Sequence, residues 1–205
     1  NAGTTAGTHF FGTTDNQPVE IRVNGARVVR IEPGVDSPRI ILGASNNSVA
    51  ADGAVIGGGA TNVIDIYANY SVIAGGYRNV IGSNASESAV GGGSYNSIMP
   101  NAFQSVIGGG QFNVIAEDSR FSAIGGGVDH DIGSRADGAV IGGGADNNLA
   151  ADSRFATIAG GIWNGIETNA SYSTIAGGYS NRLMGSAVSA TMGGGAENLI
   201  GTNSR

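Results

Sequence analysis

The sequence has no cysteine and no lysine, and it is poor in proline, aromatic residues and charge. Its 205 residues include 4 Pro, 6% aromatic residues and 13% charged residues, and all ten cationic side chains are Arg. The absence of Cys excludes disulfide bonds and thiolate zinc sites. No apolar run approaches the roughly 20 residues of a membrane-spanning helix, so we expect no membrane insertion of this segment.

The charge is net negative, with 16 acidic residues against 10 basic residues. A protein that binds a phosphate backbone usually presents a stripe of basic side chains, and this sequence has none. We therefore expect no nucleic-acid partner.

Glycine is the residue in excess. It accounts for 37 of the 205 residues, whereas about 7% is usual. Collagen would need Gly at every third position and abundant Pro, and a disordered chain would carry more charge and fewer than the 40% apolar residues found here. The excess therefore requires another structural explanation.

That explanation is an internal repeat of 17 residues without insertions. Nine copies begin at Ala54, Ser71, Ser88, Ser105, Ser122, Ala139, Ala156, Ser173 and Ala190. A degenerate copy precedes them at Ile40 and is one residue short between Gly43 and Asn47. The pattern predicts an N-terminal segment over residues 1–39 and a repeat region over 40–205. The chain starts without Met and ends within the pattern at Arg205, which indicates a processed product or a fragment.

Two glycine columns and two aliphatic columns define each copy. The glycine columns start with Gly58, Gly59, Gly75 and Gly76, and the aliphatic columns with Ile56 and Ile64. We expect the glycines to form a corner of each coil and the aliphatic residues to point inward. The aliphatic spacing alternates between 8 and 9 residues, which predicts two short β segments per coil. The predicted fold is all-β, a parallel β-solenoid of about nine to ten coils.

A further column is asparagine in eight of the nine copies. Its members are Asn62, Asn79, Asn96, Asn113, Asn147, Asn164, Asn181 and Asn198, with His130 as the exception. A stacked Asn either bonds to neighbouring backbone through its amide or occupies a left-handed turn position. We interpret this column as structural. Two more columns, which start at Ala54 and Ala68, accept only Ala or Ser and indicate close packing.

A coil of 17 residues encloses a thin core for a free-standing solenoid. At about 4.8 Å per coil, nine coils make a rod of roughly 43 Å. Association would bury more apolar surface. The outward column of Val72, Ala89 and Val106, which continues to Thr191, is the expected contact with sister chains.

These columns of Ser or Ala, aliphatic, Gly and Asn residues resemble the repeats of YadA-like trimeric autotransporter adhesin heads and of related bacterial or phage tail-fibre proteins. The resemblance covers about residues 40–205, although the period of 17 is longer than the repeat typical of the adhesin heads. It implies a left-handed parallel β-roll that forms a homotrimer at the cell surface or in a virion fibre. The segment from Phe10 to Pro33 resembles the stretch that precedes such repeats in tail-fibre-like proteins.

The N-terminal segment itself predicts a β-hairpin. Alternating apolar residues from Val19 to Val23 lead into Asn24-Gly25, a favoured two-residue turn, and a second apolar run returns to Ile31. An open coil edge invites pairing with another chain, so we expect this hairpin to cap the solenoid.

Few residues are suited to catalysis or metal binding. The histidines are His9 and His130, and Asp129-His130-Asp131 is the one local cluster of metal-ligating types. In a strand both Asp side chains face away from His130, so the tripeptide alone makes no site, and the alternative is a site completed by symmetry mates. The glycine-rich segments lack the Lys of a phosphate loop and the pattern of calcium-binding repeats. We expect no enzyme activity, no metal and no cofactor.

Outward aromatic residues are the candidate ligand-binding residues. Those that follow the Gly pairs are Tyr77, Tyr95, Phe112, Trp163 and Tyr179, predicted as one stripe along the rod. A second stripe holds Tyr70, Phe121, Phe155 and Tyr172. Exposed aromatic rings stack on sugars or contact protein partners, and the alternative is that one stripe lies in a subunit interface.

The sequence thus predicts a non-enzymatic extracellular rod. The first hypothesis is a homotrimeric surface adhesin or tail-fibre module that binds a glycan or another cell-surface receptor. The alternative is a structural subunit that assembles end to end into a filament through its uncapped last coil, Leu199 to Gly201. A file of three threonines, Thr157, Thr174 and Thr191, is the one feature that favours ice binding.

Overall fold

Residues 11–204, which a computed structural model of the chain describes, contain twenty-two β-strands and no helix. The first ten residues, with His9 and Phe10 of the predicted N-terminal segment, and Arg205 lie outside the described residues. Among residues 11–204 no helix is present that could cross a membrane.

Three longer strands precede a series of two-residue strands. The longer ones are β1 (Val19–Val23), β2 (Ala26–Glu32) and β3 (Arg39–Leu42). The short ones are β4 (Ser48–Val49), β5 (Val55–Ile56), β6 (Val63–Ile64), β7 (Val72–Ile73), β8 (Val80–Ile81), β9 (Ala89–Val90), β10 (Ser97–Ile98), β11 (Val106–Ile107), β12 (Val114–Ile115), β13 (Ala123–Ile124), β14 (Asp131–Ile132), β15 (Val140–Ile141), β16 (Asn148–Leu149), β17 (Thr157–Ile158), β18 (Gly165–Ile166), β19 (Thr174–Ile175), β20 (Arg182–Leu183), β21 (Thr191–Met192) and β22 (Leu199–Ile200).

Alternate strands build two separate sheets. The twelve-stranded sheet runs from β1 through β2 and β3 and then through every odd-numbered strand to β21, and the ten-stranded sheet holds the even-numbered strands from β4 to β22. Ile56 pairs with Ile73 in the first sheet and Ile64 with Ile81 in the second, so neighbouring strands are parallel and 17 residues apart. The predicted parallel β-solenoid is confirmed.

The second residue of each short strand points into the coil. Ile73 and Ile81 are fully buried, whereas the outward Val72 is 39% exposed. Five inward columns stack along the rod and begin with Ala54, Ile56, Asn62, Ile64 and Ala68. Each coil therefore buries one amide in addition to the two aliphatic and two small side chains expected from the sequence.

A third file of backbone contacts lies between the two sheets. Isolated parallel bridges connect Ala60 to Tyr77 and continue coil by coil to Ala196. This position follows the glycine pair directly. Each coil is therefore in contact with its neighbours on three sides, one more than the sequence pattern indicates.

Left-handed residues other than glycine turn the chain at each remaining corner. In one coil they are Arg78 (φ 54°), Asn84 (φ 59°) and Glu87 (φ 57°), and each directly precedes an inward residue. A positive φ is uncommon outside glycine, and Asn and Asp tolerate it best. These corners were not predicted, because the sequence analysis assigned the turning positions to the glycine columns.

The two glycine columns have different constraints. In the second column, Gly76 has φ +98°, and a Cβ there would collide with the carbonyl oxygen of Gly93 in the next coil. In the first column, a Cβ on Gly75 would meet nothing closer than 3.9 Å. Close backbone approach therefore requires glycine in the second column.

The predicted hairpin is confirmed and adds to one sheet. Strands β1 and β2 are antiparallel, and Asn24 (φ 48°) and Gly25 (φ 77°) form the left-handed two-residue turn between them. β2 also pairs antiparallel with β3, which pairs in parallel with β5. The hairpin thus covers the first edge of the twelve-stranded sheet.

The first coil is shorter than the others. Ile40 pairs with Val55 and Ser48 with Val63, an offset of 15 residues. The Asn62 N–H donates to Asn47 Oδ1 at 2.9 Å, so Asn47 occupies the asparagine position. The expected shortening between the glycine and Asn47 is wrong, because the two missing residues lie in the turn after β4.

Replacing the neighbouring glycines Gly76 and Gly75 by Ala tests this assignment. We expect Gly76→Ala to lower the free energy of unfolding by about 2–4 kcal/mol, since it combines a collision with an unfavourable φ. Gly75→Ala is the matched control and should change stability by less than about 1 kcal/mol. Urea unfolding measures both, and equal losses would contradict the assignment.

Candidate functional site

The asparagine column is a ladder of buried side-chain hydrogen bonds on both sides of His130. Asn79 Nδ2 donates to the Gly75 carbonyl of its own coil and to the Gly93 carbonyl of the next coil, both at 3.0 Å. Asn79 Oδ1 accepts the backbone N–H of Asn96 at 3.1 Å. One side chain thus fixes a glycine corner and joins two coils. The members bond to backbone through their amides, and the left-handed alternative is taken by the residue before each of them.

A second ladder runs through the column of small residues that starts at Ala54, wherever this column holds serine. Ser88 Oγ donates to the Ala102 carbonyl at 3.3 Å and accepts the Ser105 N–H at 3.1 Å. Ser71 makes the same two contacts with Ala85 and Ser88. These serines are buried. The Ala and Ser pattern of this column predicted close packing, and the hydroxyl ladder was not predicted.

His130 interrupts the asparagine ladder in the middle of the rod. Its own N–H donates to Asn113 Oδ1, and its Nδ1 accepts the Asn147 N–H, both at 3.1 Å. Its Nε2 is buried without a hydrogen bond of ordinary geometry, although the Gly144 carbonyl lies on that side. The imidazole therefore replaces the acceptor of an Asn but not its two donated bonds.

Burial lowers the pKa of His130 below its ordinary value of 6.5. The ring also accepts a hydrogen bond at Nδ1, which requires the neutral form. Asp129 and Asp131 flank it in sequence and are exposed, and Asp146 lies on the next coil. Within residues 11–204 no group of three His, Asp or Glu side chains is placed to hold a metal ion.

The five predicted ligand-binding aromatics fall into two groups. Tyr77 meets Tyr95 edge to face with centroids 5.7 Å apart, and Tyr95 stacks on Phe112 at 5.0 Å. Trp163 and Tyr179 form the second group at 5.4 Å. All five are exposed. The two coils between the groups carry no aromatic residue at these positions, so the predicted single stripe is two separate patches.

The second predicted stripe is also divided. Phe155 stacks on Tyr172 with centroids 5.4 Å apart, while Phe121 contacts Phe103, which the sequence analysis did not select. Tyr70 lies apart from these, over the backbone of Gly53. No aromatic contact joins the three positions.

Three of the five candidate aromatics occupy a corner of the coil that is left-handed in every copy of the repeat. Tyr95, Phe112 and Trp163 have φ values of 58–59°, which is an outlier for a bulky residue. Strain of this kind costs on the order of 1–3 kcal/mol and clusters at functional sites. The same corner holds Asp129 and Asp146 in other coils, so the fold does not require an aromatic ring there.

A signal for the corners does exist in the sequence. The corner that contains Asn84 is Asn or Asp in six of its nine copies: Asn84, Asn101, Asp118, Asp152, Asn169 and Asn203. These two residue types tolerate left-handed backbone.

A search with protein-family models and a search of curated proteins found no match to this chain.

Restoring the ladder at position 130 should stabilise the rod. We expect His130→Asn to raise the free energy of unfolding by about 1–3 kcal/mol, because it removes a buried polar atom without a hydrogen bond. The gain should be larger at pH 5 than at pH 8. As the pH falls through about 6.5, the His130 imidazole binds a proton in the unfolded chain but stays neutral in the folded chain. The wild-type protein therefore loses stability.

Unfolding midpoints of both proteins at the two pH values measure this effect. The neighbouring carboxylates are present in both chains, so the difference isolates the imidazole. Asn79→His is the matched control, and it should create a second pH-dependent loss in another coil. A wild-type to His130→Asn difference that does not change with pH would contradict the interpretation.

Proposed function

We propose that this β-solenoid is a non-enzymatic module of an extracellular fibre, either a YadA-like surface adhesin or a tail fibre. In this proposal three chains associate side by side through one face of the rod, and another face binds a glycan at the cell surface. The three-fold association and the extracellular location rest on the resemblance of the repeat. The assignment of the two faces rests on the side chains that each sheet presents outward.

The observation that carries the proposal is the contrast between the outer faces of the two sheets. The outward column of the twelve-stranded sheet contains only Val, Ala and Thr from Val55 to Thr191. That of the ten-stranded sheet holds Val, Ser, Asp, Asn, Gly, Arg and Leu from Val63 to Leu199. Both columns occupy two-residue parallel strands, so strand formation does not explain the difference. An uncharged strip of Ala and β-branched side chains is suited to packing against an identical chain.

The aromatic patches lie beside the outer face of the ten-stranded sheet, called the variable face below. Tyr95 and Trp163 each stand two residues before a strand of the ten-stranded sheet, β10 and β18. They would remain accessible in a rod that associates through the other sheet. Arg78 adds a cation over the rings of Tyr77 and Tyr95 at 5.3 and 5.6 Å. Aromatic rings flanked by polar groups are suited to sugars.

The filament alternative has one observation in its favour. In the described residues, strand β22 pairs on one side only, and its Leu199 is 65% exposed. An exposed strand edge is a template for another chain. This alternative predicts growth along the rod axis and differs from the trimer in the stoichiometry of the assembly.

Light scattering after size exclusion distinguishes these assemblies. We expect a discrete species of about three times the 20.3 kDa chain mass. Val106→Arg, which puts a charge on the outer face of the twelve-stranded sheet, should give the monomer. Val114→Arg makes the same change on the other sheet of the same coil and should leave the trimer intact.

Each other outcome has a definite meaning. A wild-type monomer would overturn the association, and a mass that grows with concentration would favour the filament. Dissociation by Val114→Arg alone would place the interface on the ten-stranded sheet and contradict the proposed assignment of the faces. Binding of the wild-type protein to a glycan array, lost in a Tyr95→Ala and Trp163→Ala double variant, tests the sugar-binding part separately.

A further inference from the structure

A single glycine opens a notch in the variable face of the rod. Gly165 is the one glycine in the outward column of the ten-stranded sheet, where every other coil from β4 to β22 carries a side chain. An open pocket of about 430 Å³ borders it, and the Arg182 side chain lies over the buried Gly165 itself. This volume falls within the roughly 300–1,000 Å³ of small-molecule sites.

The walls of this pocket combine an aromatic ring with polar groups. Trp163 borders one side, and the ion pair of Arg182 Nε with Glu167 Oε1, at 3.2 Å, borders the other. Asn148 and Asp146 of the preceding coil complete it. Carboxylate, amide and guanidinium groups therefore surround the notch together with the indole. That arrangement suits a ligand with one apolar face and a rim of hydroxyl groups.

The fold sets the backbone of Trp163 but does not explain its side chain. The corner is left-handed in the neighbouring coils as well, where Asp146 and Ser180 fill it, so an indole is not required there. Its side chain is 55% exposed, and its one aromatic contact is with Tyr179. An exposed indole beside a notch, at a corner that smaller residues fill in the neighbouring coils, points to a role in binding.

We propose that the Gly165 notch binds a neutral hexopyranose ring, which stacks on Trp163. The sugar hydroxyls hydrogen-bond to Asn148, Glu167 and Arg182. Two carboxylates against one guanidinium disfavour an anionic sugar. This inference rests on the proposed function and names the sugar class and the coil at which a glycan is held.

The chain carries its own probe, because Trp163 is the single tryptophan. The full chain is titrated with the methyl glycosides of glucose, galactose, mannose and N-acetylglucosamine while the indole emission is recorded. We expect a saturable change in emission with at least one of the four, in the millimolar range. Methyl glucuronide should give a weaker response than methyl glucoside.

Filling the notch separates binding from folding. A Cβ on Gly165 would meet only Arg182 Nε at 3.6 Å, and its φ is not in the left-handed region, so a side chain fits. Three other coils have Val at this position: Val63, Val80 and Val114. We therefore expect Gly165→Val to unfold at the wild-type temperature or above and to weaken the emission response at least about tenfold. Ser97→Val places a valine at the equivalent position of β10 and should leave the response intact.

The outcomes distinguish this inference from the proposed function. A response that survives Gly165→Val, or that is lost equally in Ser97→Val, would overturn the notch as the site. The absence of a response to all four glycosides would also overturn it, and array binding that persists in Gly165→Val would then assign the glycan to the other aromatic patch. Absence of array binding by the wild-type protein would count against the glycan part of the proposed function as well.

Discussion

The stacking of identical buried amides is the constraint on which the rest of this rod depends. Each two-residue strand contributes few backbone bonds, so the corners must also be joined from coil to coil. The Asn79 side chain does this by bonding to Gly75 in its own coil and Gly93 in the next. An insertion between inward residues would move them out of their columns, unless a turn absorbs the change in length, as in the short first coil. The unbroken period of 17 follows from that requirement, as does the close backbone approach at the second glycine column.

The inward half of the fold could be predicted from the sequence, whereas among the left-handed corners only the one that contains Asn84 carries a sequence signal. Inward residues such as Ile73 repeat in type because each must fit the same space between two copies of itself. Left-handed corners constrain only the backbone, so their side chains vary from Arg78 to Glu87. The shortening of the first coil was also misplaced. Asn47 keeps the ladder register, and the two missing residues lie between the inward residues Val49 and Ala51, where the turn varies in sequence.

The candidate site was predicted only as a set of aromatic side chains. Aromatic side chains contact one another only when they lie on adjacent coils. Two coils without an aromatic residue at these positions separate Phe112 from Trp163. The notch is invisible in the sequence because Gly165 is one of 37 glycines, most of which belong to the repeat. It differs from them in its position: it lies in a strand, where the other coils have side chains. Only the structure therefore distinguishes Gly165 from the glycines that belong to the repeat.

The solenoid also explains why such exceptions are tolerated. Each coil contacts only its neighbours, so stability is approximately a sum of coil and interface contributions. The strain at Trp163 and the missing hydrogen bonds at His130 are therefore local costs. In a single globular core, a strained aromatic would propagate its misfit through shared packing. Here the inward columns maintain the register on both sides of the altered coil. An unfavourable side chain can thus lie on one coil, where it lowers the stability of that coil and changes the stability of the others little.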